Sequence, residues 1–318
     1  MFKVAVTDFN SGEVGIEERI LRPLDCNVVL KQCKTSAELI ELTQDADFVI
    51  TQFARVNAEV INAMQRARII VRYGIGVDNV DLDAARAKGI PVCNVPDYCL
   101  DEVADQTLAF ILALTRHVVP VANYIQSGEW GSPIPGGQFR ALKEQTVGIV
   151  GFGRIGREVC SRLKAFKCKV QVFDPFLTPE DAQKHGLISA NLDELLQTSD
   201  IVSLHCPSTA QTRKMLNAAS FAKMKRGALL VNVARGDLID GTALVDSLQN
   251  GTLSGAALDV FETEPIPKSH PILKCKNVVL SPHLASASLS SGKRLRESVA
   301  QHVARAVRGE PLQSVVNK

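Results

Sequence analysis

Short runs of β-branched and aliphatic residues alternate with helix-length amphipathic stretches from the first residue onward, the pattern of parallel sheets wrapped by helices. Apolar runs at 4–6, 28–30, 48–50, 69–71 and 91–93 predict strands, and the periodic segments 58–66 and 82–88 predict helices between them. A longer helix is predicted over 101–117, where Val103, Leu108, Ile111 and Leu112 recur at helical spacing. The Gly/Pro-rich stretch 131–137 reads as a loop. A second series follows, with strands predicted at 147–150, 169–173, 201–205, 229–234, 255–258 and 278–280, and a last helix at 289–308. The bases of that helix, Lys293, Arg294, Arg296, Arg305 and Arg308, read as a solvated face.

At roughly 150 residues per domain, 318 residues predict about two domains. Lys and Arg number 36 against 34 Asp and Glu, with the signs interspersed, which excludes the dense basic footprint of a nucleic-acid binder. Eight scattered cysteines form no C-x-x-C pair and no Cys/His cluster at zinc spacing, so reduced thiols and no metal are expected. The opening MFKVAVTDFN lacks the apolar core of a signal peptide, and no uncharged apolar stretch approaches the ~18 residues of a membrane span. The expectation is a cytoplasmic protein whose partners include neither nucleic acid nor membrane.

One segment carries explicit ligand chemistry. Val147-Gly148-Ile149-Val150 leads straight into Gly151-Phe152-Gly153-Arg154-Ile155-Gly156, a G-x-G-x-x-G turn from a strand into a helix. Gly151 permits the tight turn, Gly153 lets backbone approach a pyrophosphate, and Gly156 lets the helix pack close to the strand. The N–H groups of Arg154 and Ile155 at the helix start then face phosphate. Asp174 stands 18 residues after Gly156, near the ~20-residue interval of a ribose-binding acid. A carboxylate there accepts from a 2′-hydroxyl and repels a 2′-phosphate. Pro175, Phe176 and Leu177 add no offsetting cation, so NAD is predicted over NADP. About 145 residues precede this motif, which excludes an architecture that opens with the cofactor domain.

Three later segments suit redox chemistry on a hydroxy acid: Asn232-Val233-Ala234-Arg235-Gly236, Asp259-Val260-Phe261-Glu262-Thr263-Glu264-Pro265 and Ser281-Pro282-His283-Leu284. Each stands at or after the end of a predicted strand, where open α/β sheets bind ligands. Arg235 has the planar fork that holds a carboxylate, and His283 supplies an imidazole, the side-chain type suited to acid–base work.

These segments, the glycine motif, Gly74-Ile75-Gly76-Val77-Asp78-Asn79-Val80-Asp81 and Asn94-Val95-Pro96 run in order over essentially the whole chain. The chain thereby resembles the D-isomer-specific 2-hydroxyacid dehydrogenase family, whose members include D-3-phosphoglycerate dehydrogenases and C-terminal-binding-protein-like corepressors. The resemblance implies an α/β fold of two doubly wound parallel-sheet domains. A Rossmann NAD domain of 99–287 would be inserted into a flavodoxin-like substrate domain of 1–98, which a C-terminal helix at 288–318 completes. It implies hydride transfer between the nicotinamide and C2 of a 2-hydroxy or 2-keto acid. Arg235 would clamp the substrate, His283 would be the acid–base group, and Glu264 would hold the other ring nitrogen and favour imidazolium. It further implies that Asp259 accepts from the nicotinamide carboxamide and that His205 and Pro207 lie beside the cofactor. Arg72, Gly74, Ile75 and Gly76 would bind substrate, with the amides of Ile75 and Gly76 on its carboxylate, and segment 99–140 would form a homodimer.

Two other readings stand beside a broad hydroxy-acid substrate. Phosphoglycerate is one, because Arg72 and Arg55 supply cations for a second anion. Against it, Trp130 is followed by Gly131-Ser132-Pro133 in place of the basic cluster of human-type phosphoglycerate dehydrogenases, and Lys318 leaves no room for a C-terminal regulatory domain. The other is an NADH-sensing, corepressor-like binding protein with little turnover, toward which 70–74 and 91–96 lean.

Overall fold

Strands that are covered on both faces consist of apolar runs without alternation, and the first sheet follows that rule. The computed structural model describes residues 1–10, 13–136 and 139–318, so Gly137 of the predicted loop lies outside the described residues. The chain divides into two compact units, Met1–Tyr98 with Ser288–Lys318, and Cys99–Ala287.

The first unit runs β1 (Phe2–Val6), α1 (Gly15–Leu21), β2 (Cys26–Leu30), α2 (Ser36–Thr43), β3 (Phe48–Thr51), α3 (Ala58–Ala63), β4 (Ile70–Arg72), α4 (Leu82–Ala87) and β5 (Val92–Cys93). Its parallel sheet has the order β2-β1-β3-β4-β5, the flavodoxin-like arrangement. Val4, Phe48, Ile50 and Val71 pack with Leu21 of α1 on one face, and Ala5, Val49, Ile70 and Val92 with α2, α3 and α4 on the other. The helix predicted over 58–66 stops at Ala63. There the Lys88 ammonium takes the carbonyls of Ile61 (2.9 Å), Asn62 (2.6 Å) and Met64, capping the helix end from another element.

The second unit runs α5 (Leu100–Thr115), α6 (Val118–Gln126), β6 (Thr146–Val150), α7 (Arg154–Ala165), β7 (Lys169–Phe173), α8 (Pro179–Lys184), β8 (Ile188–Ser189), α9 (Leu192–Thr198), β9 (Ile201–Leu204), α10 (Ala218–Lys223), β10 (Ala228–Asn232), α11 (Gly241–Gln249), β11 (Leu253–Leu258) and β12 (Val278–Leu280). Its sheet order, β12-β11-β10-β9-β6-β7-β8, is that of a Rossmann fold. The strand predicted over 229–234 ends at Asn232. That side chain accepts from the Ala234 amide (3.0 Å) and donates to the Arg235 carbonyl (2.8 Å), folding the chain out of the sheet. The helix predicted over 101–117 is followed by a second one: His117 turns left-handed (φ 50°), and α6 leaves α5 at 62°. Among the described residues no single helix is long and apolar enough to cross a membrane.

After Ala287 the chain returns to the first unit as α12 (Leu289–Arg308). Leu295, Val299, Ala300 and Val303 form its inward stripe on the α1 side of the sheet. Arg296 is a correction to the solvated face: it is 9% exposed and forks onto the buried carboxylate of Glu17. The last residues cover the edge strand, with Val315 bridging Cys93 and the Asn317 side chain bonding the Val92 amide and the Ile90 carbonyl.

Candidate functional site

Strand order reverses across the second, all-parallel sheet between β6 and β9, the place where doubly wound sheets take dinucleotides. The glycine turn stands at that point. Gly151 has φ +100°, and a Cβ there would lie 2.7 Å from the Cys206 amide nitrogen and the His205 carbonyl carbon. A Cβ on Gly156 would lie 2.2 Å from the Gly151 oxygen, whereas one on Gly153 would meet nothing within 4 Å. Two glycines are thus demanded by the chain's own packing, and the third leaves open backbone. No side chain caps the 12-residue helix α7, so its first-turn N–H groups, beginning with Arg154 and Ile155, suit an anion.

Asp174 follows β7 and accepts from the amides of Phe152 (2.7 Å) and Phe176 (2.9 Å), one on each oxygen. A carboxylate offers about four lone-pair sites, so acceptor capacity remains for two ribose hydroxyls. His205, just past β9, shares a 2.8 Å hydrogen bond between Nε2 and Ser203, while its Nδ1 is buried with no partner. Burial pushes its pKa down to about 3, so the ring is neutral. An orphaned ring nitrogen beside the glycine turn fits a site completed by a ligand. Pro207 is exposed, its carbonyl accepting from the Thr212 hydroxyl at 2.6 Å. These groups fit a dinucleotide: open glycine backbone and helix amides for pyrophosphate, and a carboxylate for ribose.

The second cluster is assembled by backbone contacts. A Cβ on Gly236 would lie 1.9 Å from the Phe261 carbonyl carbon, so the loop carrying Arg235 rests directly on the loop carrying Glu264. Glu264 accepts from the Phe261 amide on Oε1 (2.8 Å) and pairs with His283 Nδ1 through Oε2 (2.7 Å). Burial pushes the Glu264 carboxyl up, but the His283 hydrogen bond, the Phe261 N–H and the charges of His283 and Arg235 outweigh it and hold the carboxyl below its ordinary value. His283 has φ +56°, sparsely populated for a residue with a side chain. Its amide donates to the Asp259 carbonyl at 2.7 Å.

Asp259, expected to accept from the nicotinamide carboxamide, directly follows β11. It is 0% exposed, and its carboxylate accepts from the amides of Leu284 and Ala285 (both 2.8 Å) and from the Ser281 hydroxyl. Three donors from one turn make it the anchor that holds His283 in its strained conformation. The Asn232 turn, the Gly236 contact and this anchor were each inside a motif visible in the sequence, but nothing local distinguishes a ligand-facing Asp from a turn-holding one.

In the first unit, β4 ends at Arg72 and the chain enters the glycine loop. Gly74 has φ +137°, and a Cβ there would lie 1.5 Å from Arg72 Nη1, so the guanidinium lies over the glycine. Arg72 is 8% exposed, with its guanidinium carbon 5.8 Å from the Phe53 ring centroid. The Gly74 carbonyl accepts from the Val95 amide (2.9 Å) and that of Ile75 from the Asn94 side chain (2.6 Å), which ties both oxygens back to the segment after β5. Ile75 and Gly76 are half-buried, and Arg55 is exposed.

Residues 108–285 match the family described as D-isomer specific 2-hydroxyacid dehydrogenase, NAD binding domain. A glyoxylate reductase of Thermofilum pendens is 37% identical over 304 residues, 92% of this chain and 89% of that protein. A D-3-phosphoglycerate dehydrogenase of Bacillus subtilis is 37% identical over 318 residues, which are the whole of this chain but 59% of that protein. The crystal structure of D-lactate dehydrogenase from Aquifex aeolicus complexed with NAD and lactic acid is similar with a TM-score of 0.86 at 30% identity, covering 97% of this chain and 96% of that one.

Proposed function

Because the chain belongs to the D-isomer specific 2-hydroxyacid dehydrogenases, oxidoreductases with NAD as cofactor, we propose that it interconverts a small, unphosphorylated 2-keto acid and its D-2-hydroxy acid, with Arg235, Glu264 and His283 as its machinery. The observation that carries this reading is the 2.7 Å pair between His283 Nδ1 and Glu264, built on a loop against which the Arg235 loop is packed. The Gly151 turn, the start of α7 and Asp174 would hold NADH, which would supply hydride for the keto carbon.

The chain's own residues do the rest. Glu264 fixes Nδ1 as the protonated nitrogen and stabilises imidazolium, so proton delivery to the nascent alkoxide falls to Nε2. Arg235 holds the carboxylate and keto oxygens in its fork and stabilises the charge that develops on the latter. The amides of Ile75 and Gly76 are assigned to the carboxylate. Arg72 is folded over Gly74, which favours a small acid over phosphoglycerate, whose phosphate would need an extended cation there.

A panel of glyoxylate, pyruvate, hydroxypyruvate and its 3-phosphate tests the reading with NADH. Turnover is expected on the unphosphorylated acids, and kcat/KM for the phosphorylated one is expected to be lower. Preference for the phosphate ester would shift the assignment to phosphoglycerate. No NADH oxidation above a His283→Ala control on any acid, with NADH still bound, would leave the sensor reading.

Cofactor choice is tested separately. Asp174→Ala is expected to move the NAD/NADP ratio of kcat/KM toward NADP by about tenfold or more, the scale of a charge-assisted hydrogen bond together with a relieved like-charge contact. An unchanged ratio would remove Asp174 from the ribose site. We also assign a homodimer through α6 and the arm that follows: no residue of α6 is buried, although Val118, Val119 and Ile125 are apolar, and Trp130 is 93% exposed. Among the described residues no cysteine forms a disulfide and five of the eight are buried, which suits the reducing cytoplasm we propose.

A further inference from the structure

Glu17 on α1 is a carboxylate in a place where a leucine would be ordinary, since it is 0% exposed. Arg296 of α12 reaches it with Nε (2.9 Å) and Nη2 (2.7 Å), and the Tyr73 hydroxyl donates to its Oε1 at 3.0 Å. Tyr73 is 1% exposed and stacks on Phe9 with ring centroids 4.6 Å apart. The Arg296 guanidinium lies 5.4 Å from the same Phe9 ring and also donates to the Glu13 carbonyl at 3.2 Å. Three segments far apart in sequence therefore meet on the Glu17 carboxylate, which ties the Tyr73 hydroxyl to Arg296.

A buried ion pair is a poor device for stability alone, because well-packed apolar residues of similar volume avoid its desolvation cost. Its geometry, however, is strict. Here that geometry is imposed on the residue between Arg72 and Gly74. The Tyr73 amide is bonded to the Thr51 carbonyl (2.8 Å), its ring is stacked and its hydroxyl is bonded to Glu17, so the residue is tied at both its backbone and its ring tip. The next peptide begins the loop, with the Gly74 amide bonded to the Arg72 carbonyl at 2.9 Å.

We infer that Glu17, Arg296 and Tyr73 form a positioning unit, which sets the Gly74–Gly76 backbone for the substrate's carboxylate without touching substrate. The inference rests on the proposed reading of that loop as the carboxylate binder. Its consequence is specific: loosening the unit weakens acid binding, while the hydride and proton steps, carried by the other unit, are spared.

Tyr73→Phe removes one hydroxyl and keeps the stacked ring. With glyoxylate and NADH, KM for the acid is expected to rise about tenfold, the scale of one hydrogen bond to a charged group. The expected change in kcat is less than about twofold, and NADH affinity is retained. The double variant Glu17→Leu/Arg296→Met replaces the ion pair with apolar volume and is expected to match or exceed the wild-type Tm while KM stays raised. A wild-type KM in either variant overturns the positioning role. So does a fall in kcat and Tm that parallels the change in KM, the mark of a merely structural contact. Wild-type enzyme without glyoxylate turnover would overturn the underlying reading of the site, a failure visible before any variant is compared.

Discussion

His283→Ala is expected to lower kcat for 2-keto acid reduction by about 10²–10⁴, the range contributed by a positioned general acid, with NADH affinity unchanged. The ring is held by Glu264 at 2.7 Å on Nδ1, and its backbone is held at φ +56° by the Asp259 anchor, so the structure fixes where this one ring delivers its proton. The pH response has a defined sign. Reduction consumes a proton and is expected to slow as pH rises, whereas oxidation of the hydroxy acid, which releases one to a base, is expected to gain. On the acid side, the Glu264 carboxyl is held below its ordinary value, chiefly by the His283 hydrogen bond working against burial. A depressed carboxyl contributes stability that is present above the unfolded-state pKa, about 4.3, and is lost as pH falls through the folded-state value. Steady-state NADH oxidation across pH checks both limbs. A variant that keeps near-wild-type kcat, or a wild-type reduction rate that climbs with pH, would remove His283 as the acid.

The features legible in the sequence share a physical property: each is encoded by neighbours in the chain. The strand-to-glycine turn at Gly151 leaves a local motif of three glycines after an apolar run, although the collision that demands Gly151 itself comes from the distant His205–Cys206 backbone. Asp174, Arg235 and His283 each follow the end of a strand within three residues, and the apolar run that precedes them marks their place. The Glu17, Tyr73 and Arg296 cluster left no such mark, because its three members lie in separate segments and Arg296 sits among four other bases on a helix that otherwise reads as solvated. Asp259 stood in a recognisable motif, but its role depended on whether the turn at 283–285 donated to it, a tertiary fact. The break at His117 was hidden because the apolar pattern continues through Val118 and Val119, and a single left-handed residue leaves no periodic trace. Strand β8, two residues long, is too short to carry a period at all.

Arg235→Lys is expected to lose about 10² or more in kcat/KM, on the scale of removing one preorganised donor to a developing oxyanion. Charge is conserved in this substitution, so the loss measures geometry. A guanidinium presents parallel N–H groups in one plane and can engage the carboxylate and keto oxygens together, whereas an ammonium is a point charge that serves one at a time. The surroundings of Arg235 favour this interpretation. Its backbone is set by the Asn232 side chain on one side and by the contact of Gly236 with the Phe261 carbonyl on the other, so the loop does not shift to bring a shorter donor set into register. Because the clamp acts on bound substrate and on the developing charge alike, KM is expected to rise and kcat to fall together, unlike the kcat-dominated loss at His283. The shape of the pH profile is expected to persist, since lysine keeps the positive charge beside Glu264 and leaves the His283 pair in place. NADH affinity measured by fluorescence serves as the control for folding. Near-wild-type kinetics in Arg235→Lys would show that positive charge suffices and would take the fork out of the mechanism. A loss confined to kcat, with KM unchanged, would mean that Arg235 meets the substrate only in the transition state and that the Ile75 and Gly76 amides hold the carboxylate without it.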